Sequence, residues 1–429
     1  MKIIELNENT EREFRTQLAK RNPASYGQYE AVVEEIVNRV RKEGDAAIFD
    51  YTAKFDHCTL SAETIRVTEA EIREAYEALD PALVQTMRKS AANITAFHER
   101  QKRNSWIETG DNGVILGQRI LPVEVSGVYV PGGRAALSSS VLMNVIPARV
   151  AGVPRIVMCT PPGSDGRVPA GTLVAADIAG VQEIYKAGGA QAIAAMAFGT
   201  ESIPKVDKLT GPGNIYVALA KKAVFGFVSI DSIAGPSEIL VIADGTANAR
   251  YVAADLLSQA EHDELASAIL ITTDRSLAEQ VQTEIEGFLG QLERAEIIRK
   301  SLADYGCIFL AKDMEQAVET ANAIASEHLE IQTADPFAVM TKIRNAGAVF
   351  LGPWSSEPLG DYYAGPNHIL PTNGTARFFS PLSVDDFVRR QSLISYSQEA
   401  LREAHEDIER FAKSEGLTAH ANSIAVRFE

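Results

Sequence analysis

From about residue 125 onward the chain alternates short β-branched runs with Ala-rich stretches of helical period, each run closed by Gly or Pro. A strand, a helix and a second strand return to one sheet by a crossover, so repeated alternation of this kind dictates a mostly parallel sheet with helices on its faces. The candidate strands are VSGVYV, RIVMCTP, EIYKAG and VSID, and the intervening helices begin near Ser138, Gly171, Ala190 and Asn214. After the loop SIAGPSE the plan repeats: EILVIAD, a helix from Asn248 to about His262, AILITTD, a helix, CIFLAKD, the helix MEQAVETANAIASEH, and AVFLG. The expected fold class is α/β, with two Rossmann-like, mostly parallel α/β units.

The flanks differ in character. Up to about residue 105, segments such as YEAVVEEIVNRVRKEG and ALVQTMRKSAANITAFHERQ place apolar residues at three- and four-residue steps, which predicts helices. The end of the chain, PLSVDDFVRRQSLISYSQEALREAHEDIERFAKSEG and LTAHANSIAVRFE, reads as a helical tail. These shifts divide the chain into a helical N-terminal region (1–110), a first α/β unit (120–233), a second α/β unit (234–375) and a C-terminal helical tail (376–429). A length of 429 residues, at roughly 150 per domain, accommodates two or three domains. The long Gly- and Pro-rich connection GPWSSEPLGDYYAGPNHILPTNGTA is of a kind that commonly carries function.

Charge and cysteine usage narrow the partners. A net charge of −16 repels a nucleic-acid backbone and an anionic lipid surface alike. Cys58, Cys159 and Cys307 are too dispersed for a disulfide framework or a thiolate zinc site, which fits a reducing compartment. The N-terminus turns polar after five residues, and no later stretch is apolar enough for a membrane span, so a cytoplasmic location is expected.

Seven histidines are present: His57, His98, His262, His328, His368, His405 and His420. In DLLSQAEHD, Gln259 and His262 stand three residues apart on an expected helix and leave the same face, so they can reach one ion; a polar stripe at a solvated helix end has the same spacing. Glu327 and His328, two groups suited to proton transfer, meet where a helix gives way to LEI, although a histidine near a helix C-terminus is also favoured by the dipole. Asp361 is a lone carboxylate in the Gly-rich loop, where turn formation is the common explanation, and His368 in that loop is an alternative ligand. His420 by itself reads as a surface residue.

PGGR and GPGN each follow a strand and precede a helix, so their amides could face an anionic cofactor; ordinary tight turns explain them equally well. GPGNIY has Tyr216 where a dinucleotide fingerprint needs its third glycine. Cys159 and Cys307 lie in apolar strands, which disfavours a cysteine nucleophile.

The order of these signals resembles the histidinol dehydrogenase family over essentially the whole chain. The likeness is densest in VYVPGGRAALSSSVLMN, AGGAQAIAAMAFGT, DKLTGPGNIYVALAKK, DSIAGPSEILVIAD, LLSQAEHD, ASEHLEI, GDYYAGPNHILPT and EGLTAHANS. The resemblance implies oxidation of L-histidinol to L-histidine through an aldehyde, with two NAD reduced, as the last step of histidine biosynthesis. It implies one zinc per subunit held by Gln259, His262, Asp361 and His420, with Glu327 and His328 as the proton-transfer pair. Substrate contacts implied are Ser237, Gln259, His262, His328, Asp361, Glu415 and His420, and cofactor contacts Tyr129, Gln191 and Asn214; His368 receives no role. It further implies a homodimer in which the C-terminal tail, with Glu415 and His420, completes the partner subunit's site.

The chemistry is coherent with this. Zinc cannot accept electrons, so an alcohol oxidation beside it requires a nicotinamide in the same cleft. A Gln oxygen, two imidazoles and a carboxylate suit zinc or manganese and leave room for a substrate nitrogen. A neutral His328, with an ordinary pKa of about 6.5, can take the hydroxyl proton, and Glu327 can activate the water that hydrates the aldehyde. Two alternatives share these residues: a zinc- and NAD-dependent dehydrogenase of the same scaffold acting on another amino or sulfo alcohol, and a cofactor-independent metal hydrolase.

Overall fold

The computed structural model describes residues 1–21, 27–132 and 137–429. The chain forms two compact units, one of residues 1–101 and 124–387, the other of residues 102–123 and 388–429. Fourteen strands occur among the described residues: β1 (Lys2–Glu5), β2 (Trp106–Thr109), β3 (Ile115–Pro122), β4 (Val125–Tyr129), β5 (Arg155–Thr160), β6 (Glu183–Lys186), β7 (Lys208–Thr210), β8 (Ser229–Ile230), β9 (Glu238–Ala243), β10 (Ser267–Thr272), β11 (Gly306–Leu310), β12 (His328–Gln332), β13 (Ala348–Leu351) and β14 (Val388–Ser395).

The first unit holds two wholly parallel sheets, ordered β6-β5-β4-β7-β8 and β1-β11-β10-β9-β12-β13. Every residue of β9 and β10 is buried, as expected where helices cover both faces and the strand reads as a continuous apolar run. Period-two alternation divides that run. Ile239, Val241, Leu270 and Ile308 pack with the helix Ala249–Ala260 on one face, and Leu240, Ile242, Ile269 and Phe309 with the helix Met314–Ile324 on the other. In the first sheet the small side chains of the helix Gly189–Phe198 bring it close to β4 and β7, so most of its residues are inaccessible.

Both halves of the expected α/β alternation are therefore present, with six strands the sequence did not announce: β1, β2, β3, β7, β12 and β14. β1 joins the N-terminal region to the second sheet, Lys2 opposite Cys307. Four residues, two exposed and two half-buried, offer no period long enough to see. β7 is three residues long and holds its place between β4 and β8, where all three residues are buried. In the second unit, β14 pairs antiparallel with β3, which pairs antiparallel with β2. VRRQSLIS is exposed along most of its length, so it lacks the alternation that reveals a one-sided strand and merged with the helical pattern of the tail. The helices Gln398–Ser414 and Thr418–Ala425 then follow, the first capped by Ser397, whose hydroxyl accepts from the Ala400 amide at 3.0 Å.

Two topological features position the site. In the first sheet the chain runs β4, β5, β6 in one direction and then crosses to β7 on the other side of β4, so a crevice opens at the carboxyl ends of the strands around β4. In the second sheet, β9 lies between β10 and β12, and Glu238 and His328 begin adjacent strands in register, His328 opposite Ile239. No helix among the described residues is long and apolar enough to cross a membrane.

Gly211, which leaves β7, has φ +125°, and a Cβ there would lie 2.0 Å from the Tyr129 carbonyl oxygen. Both the left-handed backbone and the close approach require glycine. Gly211→Ala should destabilise the protein by about 2–3 kcal/mol or more, seen as a lower thermal unfolding midpoint; an unchanged midpoint would mean that this loop is not built as described.

Candidate active site

Glu327 and His328 are held by the two main-chain polar groups of one residue, Glu238. The helix Met314–Ile324 ends on Ala325 in a left-handed conformation, and three residues later the chain enters β12. The turn presents both side chains to the start of β9. The Glu238 amide donates to Glu327 Oε2 at 2.9 Å, and the Glu238 carbonyl lies 3.0 Å from His328 Nδ1, so Nδ1 carries the hydrogen and Nε2 the lone pair. Glu238 is itself fixed. Its buried carboxylate pairs with the buried guanidinium of Arg21 at 2.5 Å, and Arg21 also donates to the Leu265 carbonyl at 2.8 Å.

Burial governs the protonation of the pair. The Glu327 carboxyl is pushed well above the usual range by burial, reinforced by the charges of Glu238, Asp361 and Glu357. Burial lowers His328 to about 3, below the ordinary histidine value expected from sequence, so the imidazole is neutral and its unpartnered Nε2 is available as a base or a ligand.

The Gly-rich loop brings a third group. Asp361 lies in a wide helical turn, Gly360–Ala364, with Oδ1 3.9 Å from His328 Nε2 and 3.7 Å from His368 Nδ1. Those separations exceed a hydrogen bond, and both imidazoles are neutral, since burial also lowers His368 to about 4. Three donor atoms thus converge without bonding one another. Glu357, four residues before Asp361, is buried, accepts from Ser258 Oγ at 2.9 Å and contacts Asp361; burial and the Asp361 charge push it up to about 8. Potential ligand atoms of His328, Glu357 and Asp361 lie within 4.8 Å of one another, and this is the one such cluster found among the described residues.

Ser237, His262, Glu327, His328, Asp361 and His368 line one cavity of about 200 Å³, together with Ser140 and Gly211. Gln259 lies one turn before His262, whose amide donates to the Gln259 carbonyl at 3.2 Å. Gln259 is fully inaccessible, and both atoms of its side-chain amide are buried without a partner. An orphaned buried amide, a carboxylate and unprotonated imidazoles form the mixed N/O set that zinc or manganese takes, so the residues fit a divalent cation. Glu357 was not singled out from the sequence; its i, i+4 spacing to Asp361 on a helical turn is the signal that could have found it. His368, which received no role, stands beside Asp361. Glu415 and His420 belong to the second unit, where both are exposed, Glu415 at the end of the helix Gln398–Ser414 and His420 within Thr418–Ala425.

A larger cavity, of about 980 Å³, opens at the carboxyl ends of β4, β5 and β6 and is lined by Tyr129, Gln191 and Asn214. The Gly189 amide donates to the Tyr129 hydroxyl at 3.0 Å, and Asn214 caps the helix Ile215–Val224 by accepting from the Tyr216 and Val217 amides at 3.1 and 3.3 Å. Of the two glycine motifs, GPGN forms this helix start, whereas Gly133 and Arg134 of PGGR lie outside the described residues. Cys159 and Cys307 are buried in β5 and β11; burial raises both thiols, Cys307 to about 12, so neither is a nucleophile.

Comparison with known proteins gives a consistent picture. A family model described as histidinol dehydrogenase matches residues 19–428. The histidinol dehydrogenase of Halalkalibacterium halodurans is 58% identical over 397 residues, covering 92% of this chain and 93% of that protein. That of Bacillus licheniformis is 54% identical over 427 residues, covering 100% and 99%. The crystal structure of histidinol dehydrogenase from Elizabethkingia anophelis superposes with a TM-score of 0.93 at 40% identity, covering 100% of this chain and 98% of that one.

The clamp on Glu238 generates a direct test. Arg21→Met leaves the Glu238 carboxylate unpaired in the interior, which costs about 3–5 kcal/mol. A substantial fall in thermal midpoint is expected, relieved by the double variant Arg21→Met/Glu238→Gln; equal midpoints for the wild type and Arg21→Met would show that the pair does not hold the site.

Proposed function

The chain belongs to the histidinol dehydrogenase family, and on that premise we propose how its own residues carry out the oxidation of L-histidinol to L-histidine. It is an NAD-dependent oxidoreductase of histidine biosynthesis. The observation that carries the assignment of roles is the placement of Glu327 on the amide and His328 on the carbonyl of Glu238, facing one cavity with Asp361.

Gln259, His262 and Asp361 of this chain would hold a zinc ion, with His420 as the fourth ligand. Zinc when bound supplies a site for a substrate nitrogen and stabilises negative charge developing on the alcohol oxygen, worth several kcal/mol. NAD supplies the hydride acceptor, and the cavity lined by Tyr129, Gln191 and Asn214 is its site. Ser237, His328 and Glu415 are further substrate contacts.

In the first oxidation His328 Nε2 takes the hydroxyl proton while the carbon-bound hydride departs. The Nδ1 hydrogen is committed to the Glu238 carbonyl, so the lone pair has a fixed direction, and Asp361 Oδ1, 3.9 Å from Nε2, faces the proton that arrives there. In the second stage Glu327 accepts a proton from water as its oxygen adds to the aldehyde carbon, and the imidazolium returns its proton to the former carbonyl oxygen. The resulting diol gives a hydroxyl proton to His328, its remaining carbon-bound hydride would pass to a second NAD that has replaced the first NADH, and the product leaves as the carboxylic acid. A raised affinity for protons makes the ionised Glu327 an effective base for water. No thiol intermediate is involved.

After the helical region 1–110, the first α/β unit (120–233) would bind the cofactor, the second (234–375) would carry the metal and the proton-transfer pair, and the tail (376–429) would complete the site of a partner subunit in a cytoplasmic homodimer.

With histidinol as substrate, about two NADH should form per substrate consumed, and a panel of other amino and sulfo alcohols should react far more slowly; one NADH per substrate, or equal rates across the panel, would exclude this substrate assignment. Glu327→Gln should impair oxidation of supplied histidinaldehyde much more than that of histidinol, and equal losses would remove the division of labour. The tail exchange predicts complementation. His262→Asn and His420→Asn should each be inactive, and co-refolding them in equal amounts should restore about a quarter of wild-type activity through dimers with one intact site. Tails acting within their own subunit would restore none.

A further inference from the structure

The cofactor cavity contains a carboxylate to which the reaction gives no task. Asp56 closes the helix Asp45–Phe55, its amide bonded to the Thr52 carbonyl at 2.9 Å, and its half-buried side chain lines the cavity. Its Oδ2 is buried with no hydrogen-bond partner. A buried acceptor left unsatisfied is costly, and a ligand that donates to it removes the cost. Burial pushes the carboxyl up to about 6, opposed only by the adjacent His57, so it is ionised at neutral pH and can only accept. The other acidic residue of the lining, Asp165, is turned into its own loop, accepting from the Arg167 amide at 3.0 Å, and the Arg167 guanidinium lies 3.7 Å from Glu74 on the exposed rim.

The position of Asp56 along the cavity decides what meets it. Gly211 and Pro212, which follow β7 and lead to Asn214, also line the catalytic cavity, so the nicotinamide end of a dinucleotide would lie there. Gly188 and Gly189 open the helix Gly189–Phe198 beyond β6, with the Gly189 amide on the Tyr129 hydroxyl, and a pyrophosphate would lie beside this helix start. Asp56 lies towards the loop after β5: a Cβ on Gly166 of that loop would sit 3.6 Å from the sulfur of Cys58, two residues beyond Asp56. That is the adenosine end. We propose that Asp56 accepts hydrogen bonds from the adenosine ribose hydroxyls of the dinucleotide and thereby selects NAD over NADP, an inference that rests on the cofactor assignment of this cavity. A 2′-phosphate in the same position would place like charges together in a partly desolvated site.

The test uses the full-length enzyme with saturating histidinol and a cofactor series: NAD, its 2′-deoxyadenosine analogue, its hypoxanthine analogue, and NADP. The wild type should lose about tenfold or more in kcat/KM with the 2′-deoxy analogue and little with the hypoxanthine analogue. Asp56→Asn should lower kcat/KM for NAD, shrink the 2′-deoxy penalty and narrow the NAD to NADP ratio by about tenfold or more. A wild type indifferent to the 2′-deoxy analogue overturns the proposal without reliance on any variant. So does a penalty confined to the hypoxanthine analogue, or an unchanged NAD to NADP ratio in Asp56→Asn. Gln191→Ala and Asn214→Ala separate the two levels of inference. If they raise the KM for NAD while the cofactor series shows no ribose effect, only the role of Asp56 fails; if they leave it unchanged, the cavity is not the cofactor site and the proposal falls with it.

Discussion

The site depends on the main chain of a single residue. Glu238 offers its amide to Glu327 and its carbonyl to His328, and it can do so because β9 and β12 run parallel as neighbours, with His328 level with Ile239, the residue after Glu238. A carboxylate and an imidazole adjacent in sequence project in different directions along a regular element. Here the left-handed Ala325 breaks the helix just before them, and the two side chains reach opposite polar groups of one neighbour. The arrangement sets the tautomer of the imidazole and the orientation of the carboxylate at once. The buried Arg21 holds the side chain of Glu238, so the N-terminal helix end is tied to the chemistry of residues more than two hundred positions later.

The two parallel sheets use different ends. In the first, the crevice lies at the carboxyl edge around β4, where amides at helix starts suit an anionic cofactor. In the second, the reactive residues stand at the amino ends of β9 and β12. The catalytic cavity includes Gly211 and Pro212 from the first edge and Ser237, Glu327 and His328 from the second, which is the juxtaposition a hydride transfer requires.

Behind Asp361 lies a buried run of acids. Glu357 bonds through its amide to Glu330 Oε1 at 2.9 Å, and Gln332 donates to both Glu330 and Asp255 at 2.9 and 2.8 Å. Burial raises Asp255, Glu330 and Glu357. Among the described residues no ion pair to a lysine or arginine relieves them, so protons do, and the run keeps its place by hydrogen bonds between neutral and charged carboxyls. Such a backing positions Asp361 firmly without placing a competing cation near it.

The sequence by itself determined the α/β class, because period-two apolar runs alternating with Ala-rich helical stretches can be buried in few other ways. It also brought Gln259 with His262 and Glu327 with His328 into view, since those pairs are local. Local spacing left each with an ordinary alternative, and only the fold put Asp361 and His368 opposite them. β1, β7 and β14 were not legible because short or exposed strands carry no periodic signature and exist through their neighbours. Glu357 was passed over for a related reason: a glutamate in a Gly-rich connection looks solvated until the packing buries it. The lowered affinity of His328 for protons, the unpartnered amide of Gln259 and the free carboxylate of Asp56 are likewise products of burial. Desolvation depends on the atoms that surround a group in space, and a linear order of residues does not contain them.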